Sequence, residues 1–142
     1  MTRLHVHLNV KDISESVDFY RALFSQAPSV LKPDYAKWDL ADPSVNFTIS
    51  TQGEPGLQHL GIEAREQTEL QQLYQRIDGM DAPKLEEGET TCCYARSEKS
   101  WITDPQQISW ELFHTLGSAE TFHSPDTPST STGCCDAGCC AG

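Results

Sequence analysis

The chain opens with a segment in which aliphatic and polar residues alternate. From Leu4 to Val10 every second residue is aliphatic, and the residues between them are His5, His7 and Asn9. A period of two predicts a β-strand with one buried apolar face. Both histidines are therefore expected to lie together on the opposite face of this strand.

A helical period follows the first strand. Its apolar residues recur every three or four positions and are Ile13, Val17, Tyr20 and Phe24. With the capping-box pair Asp12 and Glu15 at its start, this stripe predicts a helix over about residues 13–25. The segments 35–40 and 45–51 have the residue types of two further strands.

The second half repeats this plan at an offset of 54 residues, which is the separation of His5 from His59. Tyr20 maps onto Tyr74 at the same offset, within a second helical stripe that stops at Gly79. Three more strands are predicted at about 90–96, 99–103 and 108–115. A shared offset that joins a strand and a helix in each half indicates two related modules.

These elements define one α+β domain over residues 1–116, with modules at about 3–52 and 56–115. The composition changes after Leu116: residues 117–142 contain no Lys or Arg, and Ser, Thr, Pro and Gly dominate. Such a segment buries too little apolar area to offset its ordering entropy. We therefore expect a flexible C-terminal tail.

Charge and composition exclude several classes of function. Ten Lys and Arg face 21 Asp and Glu, giving a formal charge of −11. A nucleic-acid partner is not expected, because polyanion binding needs a basic patch. A membrane partner is not expected either, since no stretch reaches the roughly 20 apolar residues of a span. The N-terminus lacks a secretory signal pattern, which makes the cytoplasm the expected location.

Two histidines at equivalent module positions are candidate metal ligands. If the modules pair about a pseudo-twofold axis, His5 and His59 approach each other across a shared cavity. The alternative is that both lie on half-exposed strand faces, and His7 competes with His5 for the first-strand position.

Glu111 lies among large apolar residues of the last strand. A carboxylate there needs a cation, hydrogen bonds or solvent, and the simpler alternative is that it faces water on an edge strand. Together, His5, His59 and Glu111 form the two-histidine, one-carboxylate set that holds Fe(II) and leaves positions open. The equivalent strand of the first module, 46–50, offers no strong fourth ligand, which favours a catalytic over a structural metal.

The six cysteines occur as adjacent pairs. Neighbouring residues make poor disulfide partners, because their Cα atoms lie about 3.8 Å apart whereas a bridge usually spans about 4.4–6.8 Å. Cys92 and Cys93 can jointly bind a soft centre such as As(III) or Cd(II); alternatively, one is a core residue and the other is exposed. The tail adds four thiols suited to capturing a soft metal, Cys134, Cys135, Cys139 and Cys140.

These features resemble the vicinal oxygen chelate superfamily, whose paired βαβββ modules form a metal-enclosing half-barrel. They resemble more closely its branch of carbon–arsenic lyases and cadmium-induced proteins. The matching segments are HVHLNV at 5–10, FYRALF at 19–24, KPDYA at 32–36, HLGIE at 59–63, TCCYA at 91–95, KSWIT at 99–103 and WE at 110–111.

The resemblance implies a nonheme Fe(II) enzyme that uses dioxygen to convert methylarsenite into arsenite and formaldehyde. It implies that His5, His59 and Glu111 bind the iron and that Cys92 and Cys93 bind arsenic. Tyr94 joins them as a substrate-binding residue, and Trp101 is expected to help wall the pocket.

Two rival functions fit the same residues. One is thiol-based sequestration of Cd(II) or As(III) without turnover, and the other is a different metal-dependent, glyoxalase-like enzyme. The protein is expected to be a monomer or a homodimer.

Overall fold

The computed structural model describes residues 1–118 as two modules with the same order of elements. The first comprises β1 (Arg3–Asn9), α1 (Ile13–Phe24), β2 (Val30–Lys32), β3 (Tyr35–Ala41) and β4 (Ser44–Ser50). The second comprises β5 (Gly56–Ala64), α2 (Gln67–Asp78), β6 (Lys84–Cys92), β7 (Ala95–Thr103) and β8 (Ser109–Ser118).

All eight strands form one curled sheet in the order β2-β3-β4-β1-β5-β8-β7-β6. The modules meet where β1 pairs antiparallel with β5, and each of these strands pairs in parallel with the last strand of its own module. The order of one module is thus the reverse of the other about the β1–β5 junction. This confirms the predicted α+β half-barrel built from two βαβββ modules.

Both helices pack on one face of the sheet. Asp12 Oδ1 accepts a hydrogen bond from the Glu15 amide at 2.7 Å, which caps α1 as the sequence pattern predicts. The core under α1 includes Trp38 and Phe47, and the core under α2 includes Leu112. Within residues 1–118, neither helix combines the length and apolar character needed to cross a bilayer.

The opposite, concave face carries buried polar side chains. The first strand was expected to bury its aliphatic side, yet Leu4 is 43% exposed whereas His5 is 5% and His7 1% exposed. The reason is that the curled sheet encloses the histidine face, while α1 covers the aliphatic face only in part. The more deeply buried face of β1 is therefore its polar face, whereas the hydrophobic pattern predicted burial of the aliphatic face.

The prediction of one strand at 90–96 is wrong, because this segment contains a hairpin turn. Cys93 and Tyr94 have φ of 56° and 60°, so they form the two-residue turn between β6 and β7. β6 begins earlier, at Lys84, in an acidic segment without clear alternation, and its pairing with β7 shifts between Glu86 and Gly88. The short β2 is a further strand that the sequence pattern did not reveal.

The last strand extends beyond the predicted domain boundary. β8 continues to Ser118 by pairing with β7, so the first two residues of the predicted tail are part of the sheet. The rest of the predicted tail, with its four cysteines, lies outside the described residues.

Candidate metal centre and adjoining cavity

Three central strands bring the predicted metal ligands together on the concave face. His5 Nε2 lies 3.0 Å from His59 Nε2, and His59 Nε2 lies 3.0 Å from Glu111 Oε2. All three side chains are buried. The alternatives of half-exposed histidines and a solvent-facing Glu111 are wrong, because the concave face buries all three side chains to 5% exposure or less. Nor is β8 an edge strand, since it lies between β5 and β7.

The spacing of these donor atoms fits a metal ion. Two ligands each about 2.1 Å from a metal and at right angles to one another lie about 3 Å apart. The ring of His5 is oriented for this role: its Nδ1 donates to the backbone oxygen of Asn46 at 3.0 Å, which leaves the Nε2 lone pair directed at His59. Nitrogen and carboxylate donors of this kind suit a divalent transition metal.

His7 belongs to the same buried cluster. Ligand atoms of His5, His7 and His59 all lie within 4.8 Å of one another, so three histidines are within reach of one metal. However, His7 Nε2 lies 2.8 Å from Ser50 Oγ, whose hydroxyl donates to Asn9 Oδ1. His7 Nε2 therefore carries a proton and donates to Ser50, and this arrangement favours His5 as the first-strand ligand.

Lys99 is a buried residue of the site that the sequence analysis missed. It is 2% exposed, and its Nζ lies 3.1 Å from Glu111 Oε1. Burial would raise the pKa of Glu111, but Lys99 and next His59 hold that pKa well below its usual range. In turn, Glu111 and Cys93 outweigh burial and raise the pKa of Lys99. Glu111 thus stays ionised, with Oε1 directed to Lys99 and Oε2 to His59.

Replacing Lys99 by methionine should lower the free energy of unfolding of the metal-free protein by about 3–5 kcal/mol, because it removes the cation that neutralises a buried carboxylate. Saturation with Co(II) should recover much of this loss, since the metal supplies positive charge to the same group. Urea unfolding with and without Co(II) measures both effects, with the exposed Lys84→Met as control. Equal destabilisation in the two conditions would contradict this role of Lys99.

The buried histidines make the stability of the metal-free protein depend on pH. Burial, and next the neighbouring His59, lowers the pKa of His5 to about 4, and burial also lowers that of His7. An unfolded histidine titrates near 6.5, so the unfolded chain binds more protons between about pH 6.5 and 4. Stability should therefore fall as the pH falls through this window.

Urea midpoints measured across that window test the pH dependence. The variant His5→Gln should show a flatter dependence than the wild type, because one of the groups that must stay neutral is gone. An unchanged slope in this variant would show that His5 does not contribute.

A cavity of about 290 Å³ adjoins the cluster formed by His5, His59 and Glu111, and the predicted cysteine pair lines it. His5 and Glu111 line it on one side, and Cys92 and Cys93 line it at the tip of the β6–β7 hairpin. The two sulfurs lie 3.0 Å apart. Cys92 is disulfide-bonded, but not to Cys93, so the two sulfurs act as a pair of thiols only in the reduced protein.

Tyr94 attaches the cysteine hairpin to the other module. Its hydroxyl donates to Asp34 Oδ1 at 2.6 Å, and Lys32 Nζ lies 5.4 Å from the centre of its ring. Burial and next Asp34 raise the pKa of Tyr94 to about 12. Tyr94 lines the cavity. Trp101, which was expected to help wall the pocket, packs edge-on against His59 instead and is not among the cavity-lining residues.

The position equivalent to Glu111 in the first module carries a hydroxyl. Glu111 is paired with Gly61, and the corresponding residue of β1, His7, is paired with Thr48. Thr48 is 2% exposed and lies on the cavity wall. This agrees with the prediction that β4 offers no strong fourth ligand.

Comparison with known proteins identifies the family. The model of the Glyoxalase/Bleomycin resistance protein/Dioxygenase superfamily matches residues 2–112. The chain belongs to this superfamily.

Two sequence relatives indicate which members of the superfamily this chain is similar to. A trivalent organoarsenical cleaving enzyme of Bacillus sp. strain MD1 is 37% identical over 131 residues, with 88% of this chain and 81% of the relative covered. The cadmium-induced protein CadI of Mycobacterium bovis is 34% identical over 143 residues, with 96% of this chain and 94% of the relative covered. The named enzymes among these relatives support a related function.

Two solved structures share the fold of this chain. The Mn(II)-bound glyoxalase from Novosphingobium aromaticivorans matches with a TM-score of 0.61 at 13% identity, covering 91% of this chain and 44% of its own. Homoprotocatechuate 2,3-dioxygenase from Arthrobacter globiformis also gives 0.61, at 11% identity, covering 83% of this chain and 37% of its own.

Proposed function

We propose that the protein cleaves the carbon–arsenic bond of trivalent organoarsenicals such as methylarsenite, using Fe(II) and dioxygen. The observation that carries this proposal is that Cys92 and Cys93 line the same cavity as His5 and Glu111. A pair of soft sulfur atoms and two of the proposed metal donors thus face one cavity. Relatives named trivalent organoarsenical cleaving enzyme, at 37% and 32% identity, support the assignment of substrate.

In this proposal, His5, His59 and Glu111 hold Fe(II), which supplies the activation of dioxygen. The protein's own part is to prepare these ligands. The Asn46 carbonyl fixes the ring of His5, and Lys99 fixes one oxygen of Glu111. Both contacts hold the donor atoms in place before metal binds. Residues that hydrogen-bond to metal ligands do the same in other metal sites.

The reduced cysteines would bind the arsenic atom. Each As–OH group exchanges for an As–S bond with loss of one water, so the arsenic stays trivalent and keeps its organic substituent. Fixing arsenic at the hairpin tip directs that substituent into the cavity and towards the metal side, which lowers the entropic cost of reaction. Contact of Tyr94 with Asp34 holds the hairpin tip over the cavity.

The overall reaction balances without an external reductant. Methylarsenite, CH₃As(OH)₂, and one dioxygen molecule together contain the atoms of As(OH)₃ and formaldehyde. The methyl carbon is oxidised, dioxygen is reduced, and arsenic leaves in the trivalent state.

Arsenic speciation tests the proposal. Reduced, Fe(II)-loaded protein is incubated with methylarsenite with and without dioxygen, and inorganic arsenite and formaldehyde are measured. Release of both products only with dioxygen is the expected result. Methylarsenite that stays intact while bound to iron-loaded protein would instead support thiol-based sequestration.

A glyoxalase-like reaction is the weaker alternative on this scaffold. The hydroxyl of Thr48 stands where a fourth ligand would complete a symmetric site, and a cysteine pair has no evident part in such chemistry. Turnover of a hemithioacetal in the absence of arsenicals would favour that alternative.

A further inference from the structure

Gly61 occupies the central position between two proposed metal ligands. In the sheet it is paired with His5 of β1 on one side and with Glu111 of β8 on the other. Interior strand positions usually favour β-branched or aromatic residues, and glycine there often marks a close approach of other groups. The residue is therefore unexpected unless its missing side chain has a purpose.

The backbone conformation does not require glycine at this position. Among the described residues, the glycines with positive φ are Gly56 and Gly88. Gly61 thus has a backbone that any residue can adopt, and the reason for glycine must be steric.

A side chain at Gly61 would collide with both ligands. A Cβ atom there would lie 2.6 Å from the backbone oxygen of Glu111, 3.3 Å from its Cβ and 3.2 Å from Cδ2 of His5. The 2.6 Å contact is with backbone, so rotation of a side chain cannot relieve it. The shift required is comparable with the roughly 0.5 Å within which a metal site must be held.

We propose that Gly61 is a positioning residue of the metal centre: its missing side chain allows His5 and Glu111 to converge on one ion. This inference rests on the metal centre proposed above but not on carbon–arsenic cleavage. Even the smallest side chain would separate β8 from β5 at Glu111 and press on the ring of His5. The donor spacing would then no longer suit a single metal.

The variant Gly61→Ala tests this role in the full-length, reduced protein. Co(II) is the probe, because its absorption spectrum reports the ligand geometry and titration gives its affinity, without any need for turnover. The matched control is Gly79→Ala, since a Cβ at Gly79 would come no nearer than 3.8 Å to the Arg76 oxygen. Thermal unfolding of each metal-free protein separates local from global effects.

Gly61→Ala is expected to bind Co(II) about 10- to 100-fold more weakly than the wild type, with an altered spectrum. The metal-free variant should still unfold in one cooperative transition, at a lower temperature than the wild type, because the 2.6 Å contact displaces backbone. Gly79→Ala should retain wild-type affinity. Wild-type affinity and spectrum in Gly61→Ala would overturn the proposal. An unfolded Gly61→Ala would also overturn it, because the contact would then determine the fold rather than the ligand geometry.

Two further results separate this proposal from the proposed function. If the wild type binds no Co(II), the metal centre fails and the role of Gly61 fails with it. If the wild type binds Co(II) but releases no arsenite in the speciation experiment, the proposed reaction fails while the role of Gly61 is retained.

Discussion

Replacing His59 by alanine is expected to lower methylarsenite turnover by at least about 100-fold, because it removes a proposed metal ligand. Loss of a ligand costs more than loss of a residue that only hydrogen-bonds to a ligand. Arsenical binding should stay within about twofold of the wild type, since the thiols act independently of this donor. His59 is fully buried and does not line the cavity. Replacing His59 should therefore leave the part of the cavity formed by Cys92 and Cys93 unchanged.

The measurement pairs arsenite release with titration of a trivalent arsenical into the reduced protein. His114→Ala is the matched control, because His114 lies on β8 and its Nδ1 contacts the backbone oxygen of Ala64, outside the cavity. Parallel loss of turnover and arsenical binding in His59→Ala would contradict the proposed division between metal-binding and arsenic-binding residues.

The repeat in the sequence predicted most of the fold and the meeting of the two histidines. A period of two fixes which residues share a face, and an offset common to a strand and a helix implies modules that pair by symmetry. His5 and His59 follow from these two facts, and the 3.0 Å between their Nε2 atoms confirms that they meet.

The acidic strand β6 could not be predicted from pattern alone. Its residues 86–89 include three glutamates and a glycine, and the register shift between Glu86 and Gly88 breaks the period of two. Pairing with β7 holds this segment in the sheet, so its conformation depends on a tertiary neighbour rather than on its own sequence.

Lys99 was missed for a related reason. A lysine in a strand usually faces solvent, and only the pairing of β7 with β8 shows that this one reaches Glu111. The sequence shows that Lys99 shares a face of its strand with Ser97 and Trp101. It does not show that this face is buried on the concave side of the sheet. Conflict between local pattern and burial is typical of functional sites, where stability is given up for chemistry.

Replacing Cys93 by serine is expected to weaken binding of a trivalent arsenical by at least about 100-fold. The remaining thiol of Cys92 can form only one bond to arsenic, so the gain in affinity from a second, linked donor is lost. Co(II) binding should be unchanged. Cys93 forms the hairpin turn with Tyr94. Serine is similar in size to cysteine and should preserve that turn, so the effect should come from the lost sulfur. Calorimetric titration in excess reductant measures the affinity.

The control replaces the four tail cysteines, Cys134, Cys135, Cys139 and Cys140, by serine while retaining Cys92 and Cys93. If arsenic binds at the cavity, this control keeps wild-type affinity and turnover, whereas Cys93→Ser loses both. If the tail variant loses binding and Cys93→Ser does not, arsenic is held outside the cavity and the metal cannot act on it. That pattern would favour sequestration over cleavage, because the reaction requires the arsenical and the metal-binding residues to lie at the same cavity.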